Sequence, residues 1–593
     1  MRSEMDFDVK APGQTKQAVD LLRRVARPER RHLVHGITWL IVAAGLEVMG
    51  PILGKALIDD YLLPHRLDWP RMALLLAACV LSGWLASAVR YLQLVRLSGL
   101  AMRSVRRLRE VVYGHVLRLP MAFFDQAITG QLISRVTNDT EAVKTLYVQV
   151  LFVMLDSSIV LLGAMVAMAW LDWRLMLIVL ALVPAVMVIV WLYQRWSSPA
   201  VVCSRELRSE INAQMAESIG GMAVVQANNA TGRFALRFAL TNAQHFTARQ
   251  AELRANAWLL RPALDLLNIL LLIVVIYSFG QRQLSGLEVG ILYAFVSYIA
   301  RVVDPLIQIT LQFSQLQQAV IAAARVNQLL QEATAPVVVD GAGIGPGALQ
   351  IAHLGFGYDP AHPVVRDLNL SVPAGAFYGI VGHTGSGKTT LLSLMLRFYQ
   401  PQQGSIEIDG VAIDAIDDRI FRAELGLVPQ EPMLLAATAR ENIDMGRGLS
   451  QQAIETAARS AHAHDFIQAL ELGYDTLLDE GGASLSAGQK QLIAIARALA
   501  GRPRILFLDE ATSRIDSATE QIVQEALQEL HGKVTIIAIA HRLSTIRAAD
   551  CIVVMNHGQI AERGTHAELM TITNGIYQRL YLISCEAGAV LEV

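Results

Sequence analysis

Residues 382–389 of this chain have the sequence Gly382-His383-Thr384-Gly385-Ser386-Gly387-Lys388-Thr389. The run before them, Ala376–Val381, favours a strand, and the run after them, Thr390–Leu396, favours a helix. A glycine, four free positions and Gly-Lys-Thr between a strand and a helix form the pattern of a phosphate-binding loop. Glycines let the backbone approach phosphates, and the amides with the helix N-terminus attract anions. We therefore predict an ATP site with Lys388 on the β- and γ-phosphates, the Thr389 hydroxyl on Mg²⁺ and Thr390 beside them.

Four polar residues downstream each follow an apolar run that favours a buried strand: Gln430, Asp509, Glu510 and His541. Successive strand residues alternate between faces, so the adjacent carboxylates can take different tasks. Asp509 is predicted to hold Mg²⁺, while Glu510 polarises the water that attacks the γ-phosphate. Gln430 is predicted to reach Mg²⁺ and that water, and His541 to donate to the γ-phosphate.

Two further features complete the predicted site. Tyr358 lies 24 residues before the loop and is predicted to stack on adenine, although a core or surface tyrosine is the alternative. The segment Leu485-Ser486-Ala487-Gly488-Gln489 opens an apolar helix. Its serine and glycine at a helix N-terminus predict a second phosphate-facing site, with a plain capped helix as the alternative.

Composition indicates that part of the chain faces lipid. Of its 593 residues, 53% are hydrophobic and 17% are charged, compared with about 25% charged residues in ordinary soluble domains. The net charge of −2 gives no reason to expect nucleic-acid binding. The four cysteines lie far apart, so neither a disulfide framework nor a zinc site is indicated. The N-terminal segment lacks an apolar core, so we expect no cleaved signal or transit peptide.

The first half contains six apolar runs, each long enough to cross about 30 Å of hydrocarbon. The segments between runs two and three, and between runs four and five, are long and rich in arginine, whereas the other connections are short. The positive-inside rule places these long segments and both chain ends in the cytoplasm. The six predicted spans are Leu33–Leu53, Met72–Leu92, Tyr147–Trp170, Leu175–Tyr193, Pro262–Gly280 and Val289–Gln308.

The long cytoplasmic segments contain few helix breakers, so we expect the spans to continue outward as helices with turn-like interruptions at Leu119–Asp125 and Ser218–Gly221. Several charges fall inside or near the spans, and charges are costly in lipid. Arg261 with Asp265, and Arg301 with Asp304, have spacings that allow pairing on one helix face. Such pairing and a role in substrate handling stay open for these four residues and for Asp156.

The expected fold is an α-helical six-span domain with long cytoplasmic helix extensions, followed by an α/β P-loop domain. Residues 14–31 are basic and partly apolar, which favours a helix lying on the membrane surface or an ordinary solvated helix. Proline and glycine cluster in residues 332–347, as in a linker. The predicted division is 1–32 N-terminal segment, 33–331 transmembrane domain, 332–347 linker and 348–593 nucleotide-binding domain.

Taken together in this order, the motifs resemble the ATP-binding-cassette (ABC) family over nearly the whole chain, with Leu485–Gln489 as the specific mark. Six spans ahead of one cassette resemble the exporter half-transporters, and the segments around Phe123–Asp125, Arg135–Asp139 and Glu217–Gly221 resemble their coupling segments. The loop and the signature are similar to those of the B subunit of bacterial multidrug-resistance-like exporters, which pairs with a different A subunit. The resemblance implies a bacterial inner-membrane exporter of amphipathic or hydrophobic compounds.

The resemblance also implies that ATP lies between one chain's loop and the partner's signature. Ser486, Gly488 and Gln489 would then serve the partner's nucleotide, and Asp516 would join the same interface. This chain departs from the family pattern at Ala487, where glycine is usual, and at Ser513–Asp516, where Ser-Ala-Leu-Asp is usual. These departures favour a heterodimer with unequal sites, with a homodimer as the alternative.

Three other functions remain open at this level. A lipid flippase or a siderophore-type importer would use the same scaffold with another cargo. A nucleotide-gated regulator or channel belongs to a different class, and the presence of Glu510 and His541 argues against it, because gating needs binding without rapid turnover.

Overall fold

The structure is a computed structural model that describes residues 20–21, 24, 27–66, 68–146, 150, 152–280, 289–339, 341–359, 361–510, 517–540 and 542–589. The chain forms two compact units. One consists of the residues up to Leu117 together with Ala127–Glu332, and the other consists of Arg118–Gln126 together with the residues from Ala333 onward.

The described part of the first unit is mainly helical. The short helix that precedes Ala127 belongs to the second unit, but it is named here with the others because it lies between them in the chain. In chain order they are α1 (Arg30–Leu57), α2 (Trp69–Val116), α3 (Met121–Gln126), α4 (Thr129–Ser134), α5 (Thr140–Thr145), α6 (Phe152–Leu180), α7 (Leu182–Gly220), α8 (Met222–Ala227), α9 (Thr231–Ala255), α10 (Arg261–Gly280) and α11 (Val289–Gln331).

Five helical runs in the described residues are long and apolar enough to cross a membrane, compared with the six predicted spans. The difference lies in the run Phe152–Gly220, whose 69 residues would measure roughly 100 Å as one straight helix, about three times the hydrocarbon thickness. Its helical conformation is interrupted at Asp172, with φ −155° and ψ 106°. The Asp172 carboxylate accepts hydrogen bonds from the amides of Arg174 and Leu175 at 2.8 and 3.3 Å, as a helix N-cap does. Spans three and four therefore share one run, and six spans fit.

The predicted helix extensions and their interruptions are present. The helix α2 has 48 residues and α11 has 43, both well beyond what the hydrocarbon needs. The helix α2 ends at Val116, and α3 begins at Met121 after Pro120. In the same way α7 ends at Gly220 and α8 begins at Met222. The surface helix predicted for residues 14–31 lies mostly outside the described residues.

A proline in the first span creates a polar contact between helices. Pro51 lies inside α1 and has no N–H, so the carbonyl of Glu47, four residues earlier, loses its helical donor. The Arg301 guanidinium of α11 donates a hydrogen bond to this carbonyl oxygen. Arg301 is therefore held by the backbone of another helix, a contact that the spacing to Asp304 does not indicate. The side chain of Arg261, the other predicted pairing residue, lies outside the description.

A three-membered charge cluster joins the first three spans. One Arg90 nitrogen on α2 lies 2.9 Å from a Glu47 carboxylate oxygen on α1 and 3.1 Å from an Asp156 oxygen on α6. The side chains are 36%, 29% and 20% exposed, respectively. Charges in a span face a partner or a wet cavity, and Asp156 has found a partner that the sequence did not suggest.

Replacing Arg90 with leucine is expected to lower the stability of the first unit by about 1–3 kcal/mol, because two carboxylates then face each other without a cation. This is less than the 3–5 kcal/mol typical of fully buried pairs, since water reaches these side chains. Thermal unfolding in detergent measures the effect. Arg106→Leu is the matched control, since Arg106 and Glu110 form an exposed pair on the same helix, 2.9 Å apart, and should cost under about 1 kcal/mol. Equal melting curves for the two variants would contradict the prediction.

The second unit is an α/β domain. Its strands are β1 (Leu349–Phe356), β2 (Val365–Val372), β3 (Phe377–Val381), β4 (Gln403–Ile408), β5 (Val411–Ala412), β6 (Leu425–Val428), β7 (Ile505–Asp509), β8 (Thr535–Ile539), β9 (Cys551–Asn556) and β10 (Gln559–Gly564). Its helices after Ala333 are α12 (Lys388–Met395), α13 (Asp418–Glu424), α14 (Ala439–Asp444), α15 (Gln451–Ser460), α16 (His464–Gln468), α17 (Ala487–Ala500), α18 (Ser517–Leu530), α19 (His566–Thr571) and α20 (Ile576–Ala589).

Two sheets organise this unit. A four-stranded antiparallel sheet has the order β2-β1-β4-β5, and a six-stranded sheet has the order β10-β9-β3-β8-β7-β6. In the larger sheet β9, β3, β8, β7 and β6 run parallel, and β10 adds an antiparallel edge. Leu506 and Leu508 of β7 pack into one core, whereas Ile505 and Phe507 pack into another. Cores on both faces explain why the parallel strands are continuous apolar runs.

Candidate nucleotide site

The phosphate-binding loop lies where the sequence predicts it, between β3 and α12. Gly387 precedes the first turn of α12 with φ +100°, and Gly385 has φ +82°, both in the left-handed region that favours glycine. Gly382 has φ +152°, and a Cβ there would stand 2.2 Å from the carbonyl oxygen of Met555 on β9. The loop thus needs its first glycine for space as well as for conformation.

Lys388 is 5% exposed and points back along the loop. Its ammonium donates hydrogen bonds to the carbonyl oxygens of Gly382 and His383 at 2.8 and 3.1 Å. Burial lowers the pKa of Lys388 from its usual value, and the negative charges of Glu510 and Asp509 oppose that change. The lysine therefore lies within electrostatic reach of Glu510, the predicted base, and of Asp509, the predicted Mg²⁺ ligand.

The loop also contains a buried donor that suits an anion. Ser386 is 4% exposed, and within the described residues its hydroxyl has no hydrogen-bond partner. A buried hydroxyl without a partner costs about 1–3 kcal/mol, which an oxygen acceptor such as a phosphate would recover. This observation supports the assignment of residues 382–390 to a phosphate-bearing ligand.

The carboxyl ends of β6 and β7 bring Gln430 to Glu510. The Gln430 amide nitrogen lies 2.5 Å from a Glu510 carboxylate oxygen, although the residues are 80 positions apart in the chain. Glu510 has φ +47°, an uncommon conformation for this residue type, and its amide donates to the Ile539 carbonyl of β8 at 2.9 Å. His541, which follows β8, and Asp516 lie outside the described residues.

The oxygen donors predicted for Mg²⁺ fit that ion in kind. Thr389 offers a hydroxyl at the start of α12, and Asp509 offers a carboxylate at the end of β7. The Gln430 amide nitrogen donates to Glu510, and the same side chain carries a carbonyl oxygen. Hydroxyl, carboxylate and amide oxygens are hard ligands of the kind that Mg²⁺ takes alongside phosphate and water.

Tyr358 lies beside the loop helix. Its hydroxyl is 3.3 Å from the Thr390 hydroxyl, and the residue is 56% exposed. A ring placed next to the phosphate loop with over half of its surface open suits stacking on a base, as the sequence predicts.

The signature forms the N-terminus of α17. The Ser486 hydroxyl accepts from the Gln489 amide at 3.2 Å, and the Gln489 side-chain oxygen accepts from the Ser486 amide at 3.0 Å. This reciprocal arrangement is a capping box. Among the described residues, the hydrogen bonds of these two side chains are with each other's backbone, and none reaches residues 382–390 of the same chain.

Gly488 is required by packing. A Cβ at Gly488 would stand 2.6 Å from Cγ2 and 2.7 Å from Oγ1 of Thr519 on α18. The presence of glycine at position 488 is therefore explained by packing inside the chain, separately from any contact with a nucleotide.

Replacing Gly488 with alanine is expected to destabilise the second unit by about 1–3 kcal/mol through overpacking. Thr519→Ala removes both closest atoms, so the double variant should recover at least half of the lost stability. Thermal unfolding of the full chain measures both effects. A Gly488→Ala protein with the parent's melting temperature would show that α17 and α18 move apart at little cost.

The sequence did not indicate a group of hydrogen bonds that connects the segment after Gln430 to the signature helix α17. Asn442 is fully buried, and its side-chain nitrogen donates to the Leu435 carbonyl at 3.0 Å. Arg497 of α17 donates to the carbonyls of Asn442 and Met433 at 2.8 and 2.9 Å. The one signal for this role in the sequence is that Asn442 is a polar residue at an otherwise apolar position of a short helix.

Comparison with known proteins identifies the family. The model of the ABC transporter transmembrane region matches residues 33–306, and that of the ABC transporter matches residues 365–513. A Streptococcus pneumoniae protein described as a putative ABC transporter ATP-binding protein, exp8, is 37% identical over 94% of this chain and 95% of its own length. The chain belongs to the ABC transporter family.

This ABC transporter is also 35% identical to the multidrug resistance-like ATP-binding protein MdlB of Buchnera aphidicola subsp. Schizaphis graminum, over 94% of the chain and 96% of the relative. A solved bacterial Atm1-family ABC exporter with ATP bound has a TM-score of 0.77 and 28% identity, covering 93% of this chain and 98% of that one. The predicted family, fold class and ATP-driven export are thereby confirmed.

As an ABC exporter half-transporter, the chain binds and hydrolyses ATP and works as a dimer in the membrane.

Proposed function

We propose that this ABC exporter moves amphipathic or hydrophobic compounds of the multidrug type out of the cell, with ATP held at the loop of residues 382–390. The observation that carries the proposal is the meeting of Gln430 and Glu510 beside Lys388. A buried lysine with a carboxylate and an amide at the ends of neighbouring parallel strands provides both phosphate binding and water activation. The relative named as multidrug resistance-like supports the cargo class.

In this proposal the residues of the second unit have distinct tasks. Tyr358 stacks on adenine, and the loop amides with Lys388 bind the β- and γ-phosphates. Thr389, Asp509 and Gln430 hold Mg²⁺, which neutralises charge on the phosphate oxygens when bound. Glu510 accepts a proton from the attacking water while Gln430 fixes the direction of its carboxylate. His541 donates to the γ-phosphate.

Across the dimer interface, Ser486, Gly488, Gln489 and Asp516 contact the nucleotide bound to the partner's loop. Closure around two ATP molecules favours the outward-accessible state, and hydrolysis releases it, which is a population shift by a ligand. Ala487 and Ser513–Asp516 depart from the usual motifs, and we infer from this a heterodimer with a different A-type half-transporter and unequal sites.

The proposed location is the bacterial inner membrane, with both termini in the cytoplasm. Support comes from arginine in the long helix extensions. The residues are Arg96, Arg103, Arg106, Arg107, Arg109, Arg118 and Arg135 after the second span, and Arg205, Arg208, Arg233, Arg237, Arg249 and Arg254 after the fourth.

Reconstitution tests the proposal directly. The full chain is placed in proteoliposomes alone and with a candidate A-type half-transporter, and ATP hydrolysis and uptake of a fluorescent lipophilic amine are measured. We expect ATP-dependent uptake that requires both chains. Full, substrate-stimulated ATPase activity from this chain alone would refute the heterodimer, and hydrolysis without movement of any amphipathic compound would refute the cargo class.

A further inference from the structure

An apolar groove lies where the helices of the first three spans meet, near the ends that we place in the cytoplasm. It is a narrow cavity of about 60 Å³. Its side chains offer water no hydrogen bond, and apolar cavities of this kind stay dry. The groove therefore suits a hydrocarbon chain. The residues that line it include Ile37 and Leu40 of α1, Leu97 and Leu100 of α2, and Phe152 and Leu155 of α6.

The groove has a closed floor and an open side. Leu40 and Leu100 are buried, whereas Ile37 and Leu155 are 37% and 38% exposed. Close packing of α1 on α2 forms the floor, since the buried Gln93 side chain donates a hydrogen bond to the backbone carbonyl of α1 at position 36. Polar groups of the floor are thus satisfied by the protein, and an occupant of the groove needs to supply only apolar surface.

Arginine side chains flank the cytoplasmic end of the groove. Arg30 lies three positions before the groove residue Leu33 on α1, and Arg96 lies four positions before Leu100 on α2. These spacings put each arginine on the helix face that lines the groove. Both side chains are exposed, and neither has an ion-pair partner in the part of the chain that the structure describes.

The neighbouring acidic residue, Glu29, does not neutralise these arginines. Glu29 is 5% exposed, and one of its carboxylate oxygens lies 3.1 Å from Arg107 and 3.7 Å from Arg103 of α2. One carboxylate cannot balance two guanidinium groups, and Arg30 and Arg96 add further positive charge. An excess of positive charge therefore stands at the end of an apolar groove.

We propose that the groove and its arginines bind one anionic phospholipid of the cytoplasmic leaflet, beyond the transport of any cargo. An acyl chain fills the groove, and the phosphate lies within reach of Arg30 and Arg96. A planar guanidinium matches the geometry of phosphate oxygens. Basic pockets between spans on the cytoplasmic side are places where anionic headgroups bind. A zwitterionic lipid offers the same chain, but its headgroup also carries a cation that the arginines repel.

Native mass spectrometry of the full-length protein in a neutral detergent tests this site. The probes are phosphatidylglycerol and phosphatidylcholine with identical acyl chains, added without nucleotide. We expect one phosphatidylglycerol per chain to bind about ten- to thirtyfold more tightly than phosphatidylcholine. Phosphatidylglycerol should also raise the melting temperature of the protein more than phosphatidylcholine does, because a ligand stabilises the state that binds it.

A double variant tests the role of the arginines. In Arg30→Gln with Arg96→Gln, the affinities for the two lipids should lie within threefold of each other, because the groove then lacks its charge. The matched control is Arg233→Gln with Arg419→Gln, which removes two exposed arginines that lie outside the spans. This control has the same change in net charge and should keep the parent's preference for phosphatidylglycerol.

Larger side chains test the role of the groove. Leu97→Trp fills part of it and should weaken binding of both lipids about fourfold for each methylene that it excludes. Val95→Trp is the control, since Val95 is 53% exposed and points to the other face of the same turn of α2. Leu155→Trp fills the groove from α6 and provides a second test if the melting curve of Leu97→Trp shows a folding defect.

Each result decides one part of the proposal. Equal affinity of the parent for the two lipids would overturn recognition of the anionic headgroup. A preference for phosphatidylglycerol that persists in the double arginine variant would place the headgroup elsewhere on the protein. Parent-like binding by both tryptophan variants of the groove would overturn its role as the site of the acyl chain. None of these measurements involves hydrolysis or uptake, so failure here leaves the proposed export function unaffected.

Discussion

Replacing Glu510 with glutamine is expected to lower the turnover of ATP about 10²- to 10⁴-fold while ATP remains bound. An amide cannot accept the proton of the attacking water, and general-base catalysis contributes a factor of this size. The amide oxygen can still accept from Gln430, which lies 2.5 Å from the present carboxylate. Glutamine tolerates the backbone angle of φ +47° about as well as glutamate, so the effect isolates the chemistry.

Phosphate release and retention of labelled ATP measure the two parts of this prediction, and uptake into proteoliposomes should stop together with hydrolysis. Glu529→Gln is the control, because Glu529 is a surface carboxylate 3.8 Å from His462, and its activity should lie within twofold of the parent. Turnover within tenfold of the parent in Glu510→Gln would assign the base elsewhere. Continued substrate movement without hydrolysis would favour a nucleotide-gated channel.

Replacing Gly382 with alanine is expected to weaken ATP binding by about thirtyfold or more. A left-handed backbone costs an alanine about 1–2 kcal/mol, and forced contacts cost about 1–3 kcal/mol. The contact here is severe, with the new Cβ 2.2 Å from the carbonyl oxygen of Met555, which is fully buried on β9. The loop must therefore move, and each 1.4 kcal/mol of its displacement lowers affinity about tenfold.

Equilibrium binding of AMP-PNP measures the loss, and a melting curve checks that the unit remains folded. Gly410→Ala is the control for conformation alone. Gly410 has φ +78°, but an added Cβ would meet no atom within 4 Å. That variant should lose about 1 kcal/mol of stability and bind the analogue normally. If the affinity of Gly382→Ala for AMP-PNP lies within threefold of the parent's, β9 moves away from the added Cβ at a lower cost than its burial implies.

Local patterns in the sequence were sufficient to predict the phosphate-binding loop and the membrane spans. The loop is specified by eight consecutive residues, and the spans by long apolar runs that contain few charged residues. Asp172 likewise marks the break between spans three and four, although the helical run continues on either side. Each of these features depends on neighbours in the chain.

Contacts between distant residues were not predictable in this way. The Tyr399 hydroxyl donates a hydrogen bond to the Asp125 carboxylate of α3, although the two residues are 274 positions apart and no periodicity connects them. Arg301 has an acidic residue at helical spacing, but its hydrogen bond goes to a carbonyl that Pro51 releases on another helix. Sequence spacing predicts contacts within one helix. It does not predict which carbonyl groups of another helix lack a donor, because that depends on how the helices pack in the fold.

The assignment of Arg118–Gln126 to the second unit has a practical consequence. A polypeptide expressed from Ala333 onward would omit Asp125 and the carbonyl of Arg118, which accepts from Ala335. In such a fragment the Tyr399 phenol would meet water in place of a carboxylate. Affinities and melting points measured on the excised cassette would thus describe a surface that the intact transporter never presents, and adding a peptide of residues 118–126 in trans offers a simple way to restore it.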